Sequence, residues 1–350
     1  MTNDVIVVGA GVAGLTLARE LRARGHHVLV LERARGVGGR CATRRVESQP
    51  VDHGVGFLHG RDAEFLAALD ELLPADARVP GWPLVREGEG APCQPRAFAE
   101  RERRFAPARG MSAFAKALAV GTHVRVEARV SALALEGPRS GERTWHVTLE
   151  TGETLAARAL VLTMPAPGVA HLLEPLGAAE PGIAELRPLL ELVLPVPCLT
   201  VIARWPAGTP APTWDALYPA RSELVQVVLH DSAKRGAGAA PTLVIQARPK
   251  WSRQHLKDAP EAWAQLLLAE AVRLWGAGVG APAILQAHAW RHARVATGSE
   301  LAAPLFAPLP GGALLGVAGD GFHEAGGVEG AFLSARSLAT RLHHAMITHI

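Results

Sequence analysis

The residues that first suggest a chemical role form a glycine-rich loop, GAGVAG, which begins at Gly9. In a loop with G-x-G-x-x-G spacing, Gly9 permits a tight turn, Gly11 lets the backbone approach a pyrophosphate, and Gly14 lets a helix pack closely on a strand. A helix starting here would direct the backbone N–H groups of Val12 and Ala13, with the positive end of its dipole, at that pyrophosphate. The loop therefore predicts a dinucleotide site.

The elements around the loop have the order that such a site requires. Val5–Val8 is short and rich in β-branched residues, which predicts a buried strand. Residues 11–24 have an apolar helical face and end at Gly25, and Val28–Leu31 predicts a second buried strand. This βαβ unit predicts a parallel sheet. Glu32 follows the second strand at the spacing of the acid that binds ribose hydroxyls, which fits NAD and FAD equally.

The remaining chain alternates between sheet and helix signals, with a proline-dense stretch at 167–212. Alternating or continuous apolar runs predict strands at 124–130, 145–149, 160–162, 224–229, 243–247 and 313–318, with a turn at 136–142. Apolar stripes predict helices at 261–275 and 330–343. The strands on either side of the turn suggest a small antiparallel insertion.

Two further motifs decide between the cofactors through a family resemblance. RARGVGGR follows Glu32, and LGVAGD at 315–320 precedes GVEGA at 327–331. These strings resemble the FAD motifs of flavin amine oxidases, phytoene desaturases and their relatives. The resemblance implies FAD as the cofactor. It implies contacts to FAD from Gly9, Gly11, Val12, Ala13, Gly14, Glu32, Arg33, Gly38, Gly39, Arg40, Gly56, Phe57, Val130, Gly319, Asp320, Gly327 and Val328.

Within this superfamily the chain is most similar to renalase-like bacterial oxidoreductases. The strings that carry this similarity are GRCATR at 39–44, DHG at 52–54, and WRHA at 290–293. The chain departs from that pattern at Val55-Gly56, where a small residue followed by Gln is expected. The missing amide would remove a hydrogen bond to the flavin edge or the substrate.

The resemblance implies a hydride transfer from a dihydronicotinamide-type, NAD(P)-derived small molecule to flavin N5, with oxygen as the acceptor. Such a transfer needs no strong base, because the product pyridinium forms without losing a proton. Amine oxidases often use a lysine near N5 and an aromatic cage. This chain has a single tyrosine, Tyr218. Its lysines are Lys116, Lys234, Lys250 and Lys257. These counts weigh against amine oxidation.

Five residues are candidates for the substrate pocket or for catalysis. His53 is a polar contact to the flavin or substrate, or a packing residue. His323 and Glu324 are pocket groups, or belong to an exposed loop. Trp290 could stack on a planar ring and Arg291 could pair with a phosphate; alternatively they are a core tryptophan and a surface arginine. No other catalytic residue and no metal cluster is predicted.

Composition limits the class of protein. The 350 residues carry a formal charge of +3 and are 49% hydrophobic. This excludes wholesale disorder and argues against nucleic-acid binding. The three cysteines, Cys41, Cys93 and Cys198, are widely spaced, which suggests a reducing compartment. The sequence has no run of 18 apolar residues, so a membrane span is not expected. The N-terminus lacks signal-peptide features, and we therefore expect a soluble cytoplasmic protein.

The predicted architecture is an α/β fold with a discontinuous Rossmann-like FAD domain of glutathione-reductase type. This domain takes residues 1–72, 108–168 and 288–350, because one cofactor motif lies near each chain end. A substrate domain with a mixed sheet takes 73–107 and 169–287. The alternatives to the renalase-like activity are a flavin amine oxidase, a desaturase, or a non-catalytic FAD-binding accessory protein.

Overall fold

A computed structural model describes residues 3–87, 102–236, 238–276 and 278–348. The strands are β1 (Asn3–Val8), β2 (Val28–Leu31), β3 (Thr43–Val46), β4 (Gln49–Asp52), β5 (Leu58–Gly60), β6 (Val85–Glu87), β7 (Arg103–Phe105), β8 (His123–Arg125), β9 (Val130–Glu136), β10 (Thr144–Leu149), β11 (Thr154–Leu162), β12 (Pro195–Arg204), β13 (Ala216–Tyr218), β14 (Val225–His230), β15 (Thr242–Ala247), β16 (Ile284–Val295), β17 (Leu305–Pro308) and β18 (Leu314–Val317). The helices are α1 (Val12–Ala23), α2 (Ala63–Leu72), α3 (Ser112–Ala119), α4 (Ala166–Leu173), α5 (Pro181–Ala184), α6 (Leu186–Leu192), α7 (Pro249–His255), α8 (Pro260–Trp275) and α9 (Gly327–Thr348).

The chain divides into two compact units, each built from separate stretches of sequence. The first unit comprises Met1–Gly39, Ala115–Pro195 and Arg294–Ile350. The second comprises Arg40–Phe114 and Val196–Ala293.

The first unit is built on the predicted parallel sheet. Its strands follow the order β17-β18-β11-β1-β2-β8, and β18, β11, β1, β2 and β8 run parallel. β1 and β2 are apolar and lie in the middle of the sheet, as the sequence predicts. β9 and β10 pair antiparallel and extend the sheet from β11, which confirms the antiparallel insertion. The single strand predicted at 124–130 is wrong: β8 ends at Arg125 and β9 begins at Val130, with Glu127 in a left-handed conformation between them.

In the first unit, a buried ion pair joins the hairpin formed by β9 and β10 to the segment that begins α5. Arg143 donates to both carboxylate oxygens of Glu180, at 3.0 and 2.6 Å. Both side chains are nearly inaccessible, and the bond to Arg143 lowers the pKa of Glu180. Bidentate pairs of this kind fix orientation as well as contributing energy. The helices after Glu180 pack on the same core as the sheet.

The second unit is built on a six-stranded sheet with the order β16-β12-β15-β14-β13-β6. One face packs against α7 and α8 through large buried side chains that include Trp251, Trp263 and Trp275. The other face packs against the segment around β4, through Val51, Phe57 and other apolar residues. The predicted strands at 224–229 and 243–247 and the predicted helix at 261–275 are confirmed as β14, β15 and α8.

The boundaries of the two units differ from the predicted domain boundaries at two main places. Residues 169–195 lie in the first unit, because their helices cover the parallel sheet. Residues 40–72 lie in the second unit, where β3 pairs with β4 and β5 pairs with β7. The assignment of one unit to the cofactor and the other to the substrate remains a prediction.

None of the helices within the described ranges combines the length and apolar character needed to cross a membrane. Cys41 and Cys198 are buried and form no disulfide within the described residues, and Cys93 lies outside those residues. Burial raises the pKa of Cys41 to about 12, so its thiolate is suppressed at neutral pH.

Candidate functional site

The glycine loop of the first unit lies between β1 and α1, as the motif predicts. A Cβ at Gly14 would lie 2.0 Å from the carbonyl oxygen of Gly9, so only glycine allows α1 to approach the loop this closely. Gly11 precedes the helix as its N-cap, and a Cβ there would meet no atom within 4 Å. Among the described residues no side chain caps the first N–H groups of α1, which leaves them available to a ligand.

Glu32 closes the loop from the end of β2. One carboxylate oxygen accepts from the backbone N–H of Ala10 at 2.9 Å, and the other accepts from that of Ala34 at 2.8 Å. Each carboxylate oxygen has a second lone pair, so both can also accept a ribose hydroxyl. The N–H of Gly38 donates to the carbonyl of Ala10. This bond holds the second glycine pair, Gly38 and Gly39, beside the glycine loop.

The C-terminal motif of the first unit is held by a serine. Ser334, fully buried on α9, accepts from the N–H of Gly319 at 3.1 Å and lies 2.9 Å from the Gly319 carbonyl. Asp320 follows and is 7% exposed, whereas Gly327 lies at the exposed start of α9. Ser334 was not among the residues predicted for the site.

These residues fit FAD by their chemistry. An uncapped helix end suits a diphosphate, a carboxylate at the loop suits ribose hydroxyls, and the missing Cβ at Gly11 leaves room for the ligand. Val130 is half-buried at the start of β9, Val328 is half-buried in α9, and Arg33 is exposed. Their cofactor contacts remain predictions, as do those of Arg40.

His323 and Glu324 lie in the first unit, in the turn before α9. His323 Nδ1 accepts from the backbone N–H of Ala325 at 3.2 Å, and Glu324 is exposed. The imidazole therefore stabilises its own turn, as in the exposed-loop interpretation. His53 belongs to the second unit.

In the second unit, His53, His288 and Trp290 form a compact group that we call the ring cluster. The ring centroids of His53 and Trp290 are 5.1 Å apart, those of His53 and His288 are 5.0 Å apart, and those of His288 and Trp290 are 4.4 Å apart. Burial lowers the pKa of His53 to about 4 and also lowers that of His288. Both imidazoles are therefore uncharged at neutral pH. His53 Nδ1 is buried and has no hydrogen-bond partner among the described residues.

β16 places Trp290 and Arg291 on opposite faces of its sheet. Side chains alternate along a strand, and Trp290 is half-buried whereas Arg291 is exposed. This arrangement fits the alternative of a surface arginine for Arg291, and a stacking role for Trp290 stays a prediction. The same alternation puts His288 and Gln286 on the face of Trp290. Neither residue was predicted for the site, because no strand was predicted at β16.

Three side chains of the second unit hold the backbone beside the ring cluster. Trp290 Nε1 donates to the carbonyl of His53 at 3.1 Å, Gln246 Nε2 to that of Gly54 at 2.6 Å, and Lys234 Nζ to that of Gly56 at 3.0 Å. A Cβ at Gly56 would lie 2.4 Å from Leu229 Cδ1, so this position has no room for a larger residue without a shift of that leucine.

Beneath this segment lies a buried cluster of four charges, formed by Asp52, Asp231, Lys234 and Arg235. Lys234 is fully buried and pairs with both carboxylates, and Arg235 Nη2 lies 3.0 Å from Asp52 Oδ2. Burial alone would raise the pKa of Asp52, but Lys234 and Arg235 together lower it, whereas burial raises the pKa of Asp231. Phe57 packs nearby in the core, 5.8 Å from Trp82 between ring centroids.

We expect the stability of the protein to fall as the pH is lowered from 6.5 toward about 4, because two buried imidazoles resist protonation. Burial lowers the pKa of His53 and of His230 to about 4, while the unfolded chain takes up these protons near 6.5. Because the pKa is lowered in the folded state, each neutral imidazole contributes fully to the free energy of unfolding above pH 6.5. Between pH 6.5 and about 4 this contribution falls by about 3 kcal/mol for each imidazole. Urea midpoints measured across this range would show the loss.

The His230→Gln variant isolates one of these contributions. Its pH slope should be smaller than that of the native protein, whereas His123→Gln, at an exposed strand position, should keep the native slope. Equal slopes in all three proteins would contradict the assignment.

A Rossmann-type α/β unit whose glycine loop, acid and second glycine pair meet at one helix end defines a dinucleotide-binding protein. Family models agree: residues 7–72 match the NAD(P)-binding Rossmann-like domain, and residues 81–343 match the flavin containing amine oxidoreductase family. The chain belongs to the flavin containing amine oxidoreductase family. FAD is the cofactor that this family membership indicates.

Curated relatives match over limited regions. A protein of Mycobacterium tuberculosis, provisionally designated a flavin-containing monoamine oxidase, is 46% identical over 87 residues, which is 25% of this chain and 18% of the relative. Putrescine oxidase of Kocuria rosea is 40% identical over 87 residues, or 25% of this chain and 17% of the relative. The chain thus aligns with less than a fifth of the length of either relative.

The fold has a wider likeness. A solved structure of a putrescine oxidase variant superposes with a TM-score of 0.69 at 15% identity, covering 98% of this chain and 99% of the other. At this identity the likeness concerns the fold alone.

Proposed function

We propose that this flavoenzyme oxidises a small planar N-heterocycle of the dihydronicotinamide type, as renalase-like enzymes do. The observation that carries the proposal is the ring cluster, in which Trp290 and two uncharged imidazoles lie together on one face of a sheet. Such a surface suits stacking against a planar, uncharged ring. A protonated amine would find no carboxylate there, because Asp52 is bound to Lys234 and Arg235.

The lysines support the same choice. Lys234 is the buried lysine, and its ammonium is held by Asp52, Asp231 and the carbonyl of Gly56. Its ammonium is fully buried and engaged by these groups, so it is poorly placed to position a water for amine oxidation. Lys116, Lys250 and Lys257 are exposed.

The bound flavin supplies an acceptor for two electrons. The substrate loses a hydride from its saturated ring carbon and becomes a pyridinium, so no side chain has to remove a proton. With oxygen as the final acceptor, dihydropyridine, oxygen and one proton give pyridinium and hydrogen peroxide. The role left to the chain is to orient the ring and exclude water, which the ring cluster and its held backbone can do.

Family membership favours amine oxidation as the second candidate. The matched family is named for amine oxidoreductases, and one relative is named putrescine oxidase. The two candidates differ in what reduces the flavin, so one experiment separates them.

The test is anaerobic mixing of the holoenzyme with substrates while flavin absorbance is followed. We expect 2- or 6-dihydro isomers of NAD(P) to bleach the flavin, and putrescine and benzylamine to leave it oxidised. Bleaching by an amine alone would replace the proposal with amine oxidation. An oxidised flavin with every compound would favour a non-catalytic accessory protein.

We expect Trp290→Leu to slow flavin reduction about tenfold, because it removes the stacking ring. Arg291→Gln is the matched control, since Arg291 is the next residue on the same strand and faces the other way. Rapid mixing under anaerobic conditions measures both rates. Equal slowing by the two substitutions would show that the ring is not part of the site.

A further inference from the structure

We infer that Arg44, together with Gln286, forms a subsite that recognises an oxyanion carried by the planar substrate. The inference rests on the proposed function and narrows its substrate class to negatively charged N-heterocycles. Neither residue was assigned a role by the sequence motifs.

The position of Arg44 follows from β3 and β16. Arg44 is half-buried on β3, and its Nη1 lies 3.4 Å from Oε1 of Gln286. Gln286 is two residues from His288 and four from Trp290, so all three side chains lie on the same face of β16. The guanidinium therefore stands at one end of the ring cluster.

The positive charge of Arg44 acts on the two imidazoles of the ring cluster. Although burial is the larger cause, the positive charge of Arg44 contributes to lowering the pKa of both His53 and His288. Asp52 acts on His53 in the opposite sense, but its carboxylate is held by Lys234 and Arg235. Among the charged side chains that act on His53, Arg44 therefore has a larger effect than Asp52.

Arg44 keeps donors available for a ligand. Within the described ranges its contact is the one to Gln286, and no carboxylate pairs with it. A guanidinium has five N–H groups in a planar fork that matches a carboxylate or a phosphate through two parallel hydrogen bonds. The contact with Gln286 engages one nitrogen of the fork, so within the described residues most of its N–H groups stay available.

Two sources of the oxyanion are compatible with this chemistry. A carboxylate on the ring itself would place the charge beside the stacked heterocycle, and a phosphate on an attached ribose would place it farther away. Both would bind the same fork, so the ligands in the test are chosen to separate them.

The test is isothermal titration calorimetry of the holoenzyme with nicotinate, nicotinamide and nicotinamide mononucleotide. We expect the native protein to bind at least one of the two anions about tenfold more tightly than nicotinamide, as a charge-assisted hydrogen bond predicts. Preference for nicotinate identifies a ring carboxylate, and preference for the mononucleotide alone identifies a phosphate.

The variant Arg44→Gln should lose that preference, while its affinity for nicotinamide should change less than twofold. Arg44→Lys keeps the charge but not the fork, so it should retain only part of the preference. Arg45→Gln is the matched control, because Arg45 is the next residue on β3 and is exposed. We expect it to bind all three ligands as the native protein does.

The inference fails if the native protein binds the anions no more tightly than nicotinamide, or if Arg44→Gln and Arg45→Gln behave alike. Either result leaves the proposed function untouched, since flavin bleaching by dihydropyridines tests that independently. Conversely, a lost anion preference in Arg44→Gln would support the subsite even if no dihydropyridine reduces the flavin.

Discussion

Replacing Lys234 with methionine is expected to destabilise the protein by about 3–5 kcal/mol, the cost of leaving buried carboxylates without their partner. Asp52 and Asp231 both pair with the Lys234 ammonium, and all three side chains are almost completely buried. Total stabilities of folded proteins are only about 5–15 kcal/mol. This substitution should therefore have one of the largest effects available in the chain.

The substitution of Lys234 should also affect the backbone beside the ring cluster. Lys234 donates to the carbonyl of Gly56, so its removal releases one of the three bonds that hold the backbone beside His53. At a low temperature, at which the Lys234→Met variant still folds, we expect it to show slower flavin reduction than the native protein.

Urea unfolding at neutral pH measures the effect, and Lys116→Met provides the control for losing an exposed lysine. The double variant Lys234→Met with Asp231→Asn should recover part of the stability, because one uncompensated charge is gone. If Lys234→Met unfolds at the same urea concentration as Lys116→Met, the buried charges do not depend on this lysine.

Replacing Gly14 with alanine is the second change with a large expected effect. The new Cβ would lie 2.0 Å from the carbonyl oxygen of Gly9, so either α1 or the glycine loop must move. Overpacking of this kind costs about 3 kcal/mol, which corresponds to roughly a hundredfold weaker FAD binding if the loop is what moves. The purified variant should contain little flavin.

Two other glycines separate the causes. Gly11→Ala meets no protein atom within 4 Å and has an extended backbone, so it should fold normally but bind FAD more weakly, because the methyl group occupies space meant for the ligand. Gly36→Ala is the control, at an exposed position with open surroundings. The ratio of flavin to protein absorbance, with urea unfolding, distinguishes lost binding from lost folding. Full flavin content in Gly14→Ala would contradict the predicted collision.

The fold of the first unit could be predicted because its signals are local. β1, the glycine loop, α1, β2 and Glu32 follow one another within about thirty residues, and each element has its own periodicity or end signal. α9 and β18 were predicted from similar local patterns. The stretch at 124–130 failed because its apolar run hides a left-handed residue, Glu127, which no periodicity reveals.

The ring cluster could not be predicted in the same way. His53 and Trp290 are 237 positions apart, and their contact depends on how an edge strand lies against a distant segment. The opposite directions of the Trp290 and Arg291 side chains were not predicted, because the sequence pattern did not identify β16 as a strand. The partners of Lys234 are equally distant in the chain, since Asp52 precedes it by 182 residues.

The sequence by itself determined the dinucleotide site, because that site depends on backbone geometry that a few consecutive glycines and one acid specify, and two further motifs favoured FAD through their family resemblance. The tertiary structure decided which side chains meet around the substrate, since those contacts arise from strand pairing and packing between remote segments. Arg44 illustrates the difference: in the sequence it is one arginine among 32, and in the fold it is a cation at the end of a ring cluster.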